Sequence, residues 1–333
     1  MLAAWYEKNG AAGDVLEYGE QPAPEPASGE VLVRLACSGA NPSDVKSRGG
    51  SRPVREGIII PHSDGAGIIV AVGDGVDAAR VGERVWIWNG QYKRPLGTAA
   101  EFIALPSEQA VHLPDTTSFE AGACMGIPAL TAYRAVELAR IQPGHTVLVI
   151  GGTSGVGFYA AQMAKLQGAR VICTIGSEEK AQVLRDAGFE DIIYYKTESV
   201  PDRINELTCG AGVNALIDMD FSTSSTLVDQ GVLATHGQFV CYGSNLRDAV
   251  PLNFGAWLFR SITLSFFLVY ELTPEQRQRA VNGLQQLLQD GVLRHLIGKT
   301  FTLQDIVTAH EAVEQGSVLG NVVIDCGMPA QAN

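Results

Sequence analysis

Apolar residues along the chain follow two rhythms, and the change between them falls near residue 123. Before it come short β-like runs, clearest at Val31-Leu32-Val33-Arg34-Leu35, Ala66 to Val72 and Arg84 to Trp88. Turn-forming stretches such as Pro22-Ala23-Pro24-Glu25-Pro26 and Gly73-Asp74-Gly75 separate them. After it, apolar strands recur at Thr146 to Ile150, Arg170 to Ile175, Ile192 to Tyr195, Ala215 to Met219, Gln238 to Tyr242 and Ile262 to Val269. Helical stretches lie between most of them, which predicts a parallel sheet covered on both faces. An amphipathic helix over Gln276 to Gln289 follows Pro274, and the tail ends in a strand at Asn321 to Ile324. The pattern predicts an α/β protein in which residues 1–122 form a β-rich domain, joined by the tail 271–333, and residues 123–270 form a doubly wound domain.

Between Thr146-Val147-Leu148-Val149-Ile150 and the helix-like stretch Phe158 to Leu166 lies Gly151-Gly152-Thr153-Ser154-Gly155-Val156-Gly157. Strand, glycine turn and helix in this order form the unit that cradles a dinucleotide pyrophosphate. The glycines let the backbone approach the phosphates, whose charge then sits among the unpaired N–H groups of the helix N-terminus. Binders of the unphosphorylated dinucleotide place a carboxylate about 20 residues further on, for the ribose 2′-hydroxyl. The second strand here ends Cys173-Thr174-Ile175 and runs into Gly176-Ser177-Glu178-Glu179-Lys180, with no carboxylate at its tip. Ser177 and Lys180 suit a 2′-phosphate, as hydrogen-bond donor and point charge. Ser177 equally suits the cap of the next helix, and Glu178 could still reach a 2′-hydroxyl. NADPH is the expected cofactor.

Composition narrows the partners. The chain has 333 residues, 46% hydrophobic and 18% charged, which is globular and long enough for two cores. No apolar run reaches the roughly 20 residues of a membrane span, and the N-terminus lacks a signal-peptide pattern. The longest candidate, Trp257 to Tyr270, is interrupted by Arg260 and reads as a buried strand. A net charge of −12 without a basic stretch argues against nucleic acid and anionic membranes as partners. Six scattered cysteines without a Cys-x-x-Cys pair suit buried, reduced thiols in a cytoplasmic protein.

Several stretches, in order and spacing, resemble the zinc-free quinone oxidoreductase (zeta-crystallin-like) branch of the medium-chain dehydrogenase/reductase superfamily. They include Gly39-Ala40-Asn41-Pro42-Ser43-Asp44, Asp64-Gly65-Ala66-Gly67, Gly82-Glu83-Arg84-Val85, Gly97-Thr98-Ala99-Ala100-Glu101-Phe102, Leu130-Thr131-Ala132-Tyr133 and Gly237-Gln238-Phe239-Val240. The resemblance covers nearly the whole chain. It implies a GroES-like β-rich catalytic domain and a Rossmann domain, with the active site in the cleft. The ligand positions of the zinc-dependent relatives align with Asn41, Ser63 and Gly126, which cannot replace two thiolates and an imidazole. His62 and Cys124 lie close by in sequence and keep a shifted site open, but the expectation is no metal. Without zinc to stabilise an alkoxide, the acceptor must itself delocalise the charge that hydride brings, as a quinone or activated carbonyl does. The protein then positions, donates hydrogen bonds and excludes water.

The resemblance also assigns roles. Asn41, Asp44 and Lys46 stand at the catalytic face, with Asn41 lining the nicotinamide and a water, or simply fixing a turn before Pro42. Thr131 matches a cofactor-contacting threonine. Gly152, Ser154, Gly155, Val156 and Gly157 face the pyrophosphate. Gly176, Ser177, Lys180 and Tyr195 resemble the 2′-phosphate pocket. Gly243, Ser244 and Phe267, the last in the sixth strand, resemble contacts to the nicotinamide half. Asn321 occupies a cofactor-side position where the family often has Lys. Lys46 and Arg52 stand where many relatives carry substrate-facing tyrosines, which makes either a cationic mouth or two solvated surface cations. Ala99 replaces a family aromatic and is expected to widen the pocket. The resulting expectation is an NADPH-dependent quinone or activated-carbonyl reductase. A 2-enal or enoyl-thioester reductase, or a cofactor-bound protein with little turnover, are the alternatives. The run Ile262 to Leu268, as the last Rossmann strand, would pair with its twin in a homodimer.

Overall fold

The structure, a computed structural model, describes residues 1–55, 57–246 and 248–329. Its strands are β1 (Leu2–Trp5), β2 (Glu17–Glu20), β3 (Glu30–Ala40), β4 (Asp64–Val72), β5 (Arg84–Ile87), β6 (Phe102–Pro106), β7 (Ala110–His112), β8 (Thr146–Val149), β9 (Arg170–Ile175), β10 (Asp191–Tyr194), β11 (Val213–Asp218), β12 (Leu233–Cys241), β13 (Thr263–Phe266), β14 (Ile297–Thr302) and β15 (Asn321–Asp325). The chain divides into two compact units, Met1–Pro128 with Leu284–Asn333, and Ala129–Gly283. The boundaries fall at Ala129 and within the helix Pro274–Gln289.

In the first unit a seven-stranded sheet runs β14-β15-β3-β4-β5-β7, with β6 pairing the first half of β3. Only the β14–β15 pair is parallel. The alternation of Val31, Val33 and Leu35 along β3 sends all three inward, as a period of two requires. They pack with Ile69, Val85, Ile87, Ile103, Leu105 and, from the tail, Phe301, Ile306 and Ile324. The tail is therefore structural, because β15 lies between β14 and β3 with Val323 opposite Gly39.

The second unit is a six-stranded sheet, β10-β9-β8-β11-β12-β13, parallel throughout. The order counts 3-2-1-4-5-6 from β8, the doubly wound arrangement in which ligands bind at the carboxyl ends around the switch point, here between β8 and β11. Leu148, Ile172, Ile193, Leu216 and Phe239 fill its core with Phe221 and Trp257. Their continuous apolar runs reflect strands buried on both faces.

The reading of Trp257 to Tyr270 as a buried strand is corrected. Its first part joins the helix Phe254–Phe259, and β13 ends at Phe266, so Phe267 lies just beyond the strand. Ser261, between the two elements, has a φ of 52°. Because β13 is an edge with one neighbour, Phe266 is exposed rather than buried. Five of the six free cysteines are buried, as expected, whereas Cys209 is exposed. Among the described residues, no helix is long and apolar enough to cross a membrane.

Candidate functional site

At the carboxyl end of β8 the glycine turn leads into the helix Gly155–Leu166, and Ser154 caps it by accepting from the Gly157 N–H at 3.0 Å. A side chain at Gly157 would put its Cβ 2.2 Å from the Gly151 carbonyl oxygen, a backbone atom that cannot swing away. The turn thus closes on itself only as glycine, with the first turn of the helix presenting its N–H groups outward. Thr174, on β9, braces it: its Oγ1 accepts from Gly151 N at 2.9 Å and its carbonyl from Gly152 N at 3.0 Å. That brace had no sequence signal, since any strand threonine looks alike.

Past β9, Ser177 caps the helix Glu178–Asp186, accepting from Lys180 N at 3.5 Å. Tyr195 is half exposed and folds its hydroxyl against Gly176, where an added Cβ would lie 2.9 Å from Oη and 3.2 Å from Cε of Lys196. Gly176, Ser177 and Tyr195 therefore come together, and Lys196 joins them, a cation the sequence reading missed. Glu178, by contrast, is held by Arg185 and by the Tyr194 hydroxyl. Further along the sheet, Gly243 packs on the Met219 carbonyl, where a Cβ would be 2.5 Å away, and the Ser244 hydroxyl is buried without a hydrogen-bond partner among the described residues. A buried orphan hydroxyl beyond the end of β12 marks a place where a polar ligand atom fits. Phe267 lies 6.4 Å from the Tyr242 ring. Thr131 is buried in the first turn of the helix Leu130–Leu138. Glycine cradle, N-terminal amides, orphan hydroxyl and the Lys196 cation together suit a phosphorylated dinucleotide.

The first unit gathers a different set. Asn41 precedes the helix Pro42–Lys46; its backbone N–H donates to Asp44 Oδ2 at 2.8 Å and its side-chain amide to Asp64 Oδ2 at 2.9 Å. Burial pushes the Asp44 carboxyl up to about 7, against the opposing pull of its Asn41 bonds. Burial, and then the Asp44 charge, push Asp64 well above the usual carboxylate range. Asp64 Oδ1 faces Gly126, where a Cβ would lie 2.4 Å from it and 2.4 Å from the Ile87 carbonyl. A cysteine at 126 would therefore collide with the carboxyl that fills the place.

The Ser38 hydroxyl sits 2.8 Å from both His62 Nδ1 and Thr98 Oγ1, and His62 Nε2 lies 2.9 Å from His310 Nε2. Burial lowers His62 to about 3; burial and the His62 charge drive His310 well below its usual value. Both imidazoles are thus neutral. His62 is spent in this chain of contacts and Cys124 bonds the Glu120 carbonyl at 3.3 Å. Among the described residues no group of three His, Cys, Asp or Glu side chains is placed to hold a metal ion.

Lys46 is exposed, on the last turn of its short helix. Arg52 is partly exposed, with its guanidinium over the Tyr92 ring at 4.7 Å. Ala99 is wholly buried in the core, and its carbonyl accepts from Ala4 N, so it widens no pocket. Asn321 is buried and donates through both Nδ2 and its backbone N–H to the Leu296 carbonyl, at 3.1 and 2.9 Å.

Residues 27–115 match the alcohol dehydrogenase GroES-like domain and residues 155–286 match the zinc-binding dehydrogenase family. The chain is 30% identical to the quinone oxidoreductase of Rattus norvegicus, covering 88% of each chain, and 32% identical to that of Pseudomonas aeruginosa, covering 93% of this chain and 95% of the relative. Among solved structures it superposes on an NAD-dependent alcohol dehydrogenase with a TM-score of 0.87 at 28% identity, covering 98% of this chain and all of the other. The Escherichia coli quinone oxidoreductase complexed with NADPH gives 0.84 at 26% identity, with coverage of 98% and 100%. Parallel sheet, glycine turn, tail-completed β domain and these relatives together place the chain in the quinone oxidoreductase branch of the medium-chain dehydrogenase/reductase superfamily.

Proposed function

We propose that this chain is an NADPH-dependent reductase that delivers hydride to quinones or related activated carbonyl acceptors without a metal. The observation that carries the cofactor choice is the cluster of Ser177, Tyr195 and Lys196 around Gly176, with the nearest carboxylate, Glu178, already engaged. Lys180, on the first turn of the same helix, adds a second cation. Gly152, Ser154, Gly155, Val156 and Gly157 hold the pyrophosphate; Thr131, Gly243, Ser244 and Phe267 hold the nicotinamide half; family resemblance adds Asn321 as a cofactor contact. Bound there, the reduced nicotinamide supplies the hydride. Asn41, fixed by Asp64 and Asp44, orients the ring and a water. Lys46 offers a cation to the developing charge on an acceptor oxygen, which the acceptor's conjugation also spreads.

The reading extends to assembly and location. The unpaired edge of β13 and the exposed Phe254, Leu258, Phe259 and Phe266 beside it support a homodimer through this strand. Free, mostly buried thiols support a cytoplasmic setting. The test follows nicotinamide absorbance with 1,4-benzoquinone in the presence of a chelator, comparing NADPH with NADH. NADPH-selective turnover is expected. Turnover confined to a 2-enal or enoyl thioester would replace the acceptor, and none with any acceptor would refute the enzymatic reading. A monomer in sedimentation would refute the dimer.

A further inference from the structure

Glu178 is the residue that ought to spoil a 2′-phosphate site. It is the first residue of the helix that Ser177 caps, next to the proposed phosphate donor, and a carboxylate there can accept from a ribose 2′-hydroxyl. Both of its oxygens are nevertheless taken. Arg185, two helical turns on, donates from Nη1 to Oε1 at 2.6 Å, and the Tyr194 hydroxyl at the end of β10 donates to Oε2. Arg185 Nη2 closes the triangle on the Tyr194 oxygen at 2.7 Å. Two side chains from one helix and one from the end of β10 thus satisfy one another, and among the described residues neither Lys180 nor Lys196 joins them.

We propose that Arg185 and Tyr194 form a clamp that sets dinucleotide choice by holding Glu178 away from the adenosine ribose. Engaged, Glu178 has both oxygens turned to Arg185 and Tyr194 and its charge offset by the guanidinium, so it competes less for a 2′-hydroxyl and repels a 2′-phosphate less. Released, it does both more strongly. Arg185 and Tyr194 are positioning residues, acting on the ligand only through Glu178. The bonds from Arg185 and then Tyr194 hold the Glu178 carboxyl below its usual range, so it is anionic and its direction, not its protonation, is what the clamp controls. All three groups face solvent, so the effect is modest and salt-dependent.

The proposal rests on the NADPH reading and is tested with fragments that carry no nicotinamide. Dissociation constants for 2′,5′-ADP and 5′-AMP are measured calorimetrically on the intact chain at low ionic strength, for wild type, Arg185→Ala, Tyr194→Phe, Glu178→Gln and the Glu178→Gln/Arg185→Ala double variant. Arg185→Ala is expected to weaken 2′,5′-ADP about three- to fivefold and to tighten 5′-AMP, with Tyr194→Phe smaller in the same sense. In the Glu178→Gln background the Arg185 substitution should change 2′,5′-ADP binding by less than about twofold. An equal loss in both backgrounds would show that Arg185 acts by its own charge, and no loss in either would show that the clamp is idle; each overturns the proposal while leaving NADPH choice intact. A wild-type protein that binds 5′-AMP as tightly as 2′,5′-ADP would overturn both readings together.

Discussion

The turn at Gly151–Gly157 and the polar cluster around Asp64 and His62 are built on opposite plans. The turn is made of backbone, from seven consecutive residues, and it excludes side chains where atoms meet. The cluster is made of side chains from positions 38, 41, 62, 64, 98 and 310, brought together by sheet pairing and the tail. A backbone site tolerates almost no change and shows in sequence as spaced glycines. A side-chain site tolerates isosteres, depends on protonation, and leaves no local pattern.

Three measurements sharpen that contrast. The largest effect is expected from Gly157→Val, whose Cβ meets the Gly151 carbonyl at 2.2 Å. It should cost about 3 kcal/mol of stability or, where the turn opens instead, roughly 100-fold in NADPH affinity, read by calorimetry and thermal melting. Unchanged binding and melting would mean that the turn is not closed as described.

Next comes acid. His62, lowered to about 3, cannot take up in the folded state the proton it binds below about 6.5 when unfolded. Its contribution is therefore intact above pH 6.5 and lost as pH falls towards 3, by about 1.4 kcal/mol per pH unit. His310 acts in the same direction, and Asp44, raised to about 7, acts oppositely, losing stability as pH rises from 3.8 to 7. The stability gap between wild type and the His62→Gln/His310→Gln variant should accordingly shrink as pH drops from 6.5 to 4. A gap independent of pH would show that the imidazoles titrate normally. The smallest effect is expected from Asp64→Asn, under about 1 kcal/mol at neutral pH, because the carboxyl is already pushed towards its neutral form. Asp64→Ala, which orphans the Asn41 amide, should cost about 1–3 kcal/mol. Equal losses from both would place an essential negative charge at Asp64.

The same contrast explains what could be read from the sequence. The strands of the parallel sheet were legible because burial on both faces makes continuous apolar runs, as in Val147 to Val149 and Ile192 to Ile193. The Ser177 cap and the missing carboxylate at the tip of β9 were legible because both are local. Trp257 to Tyr270 misled because an edge strand and a solvent-facing helix end can be as apolar as a core. Ala99 misled because alignment gives a position and not the direction in which its backbone runs. Thr174, Lys196, Asp64 and the His62–His310 contact were invisible, since each acquires its partner only from tertiary pairing.

The place of β15 between β14 and β3 has a consequence for the order in which this chain can mature. The strand is synthesised last, shortly after β14 but some 209 residues after β7 and the other strands of its sheet, which at ordinary elongation rates is a wait of roughly 10–40 s. Throughout that interval the second half of β3 offers an unsatisfied row of amides and carbonyls, and His62 lacks the helix that carries His310. The doubly wound unit, continuous in sequence, is free to finish first. Nascent chains stalled before residue 321 should therefore be chaperone clients with a completed nucleotide fold and an unsealed β domain.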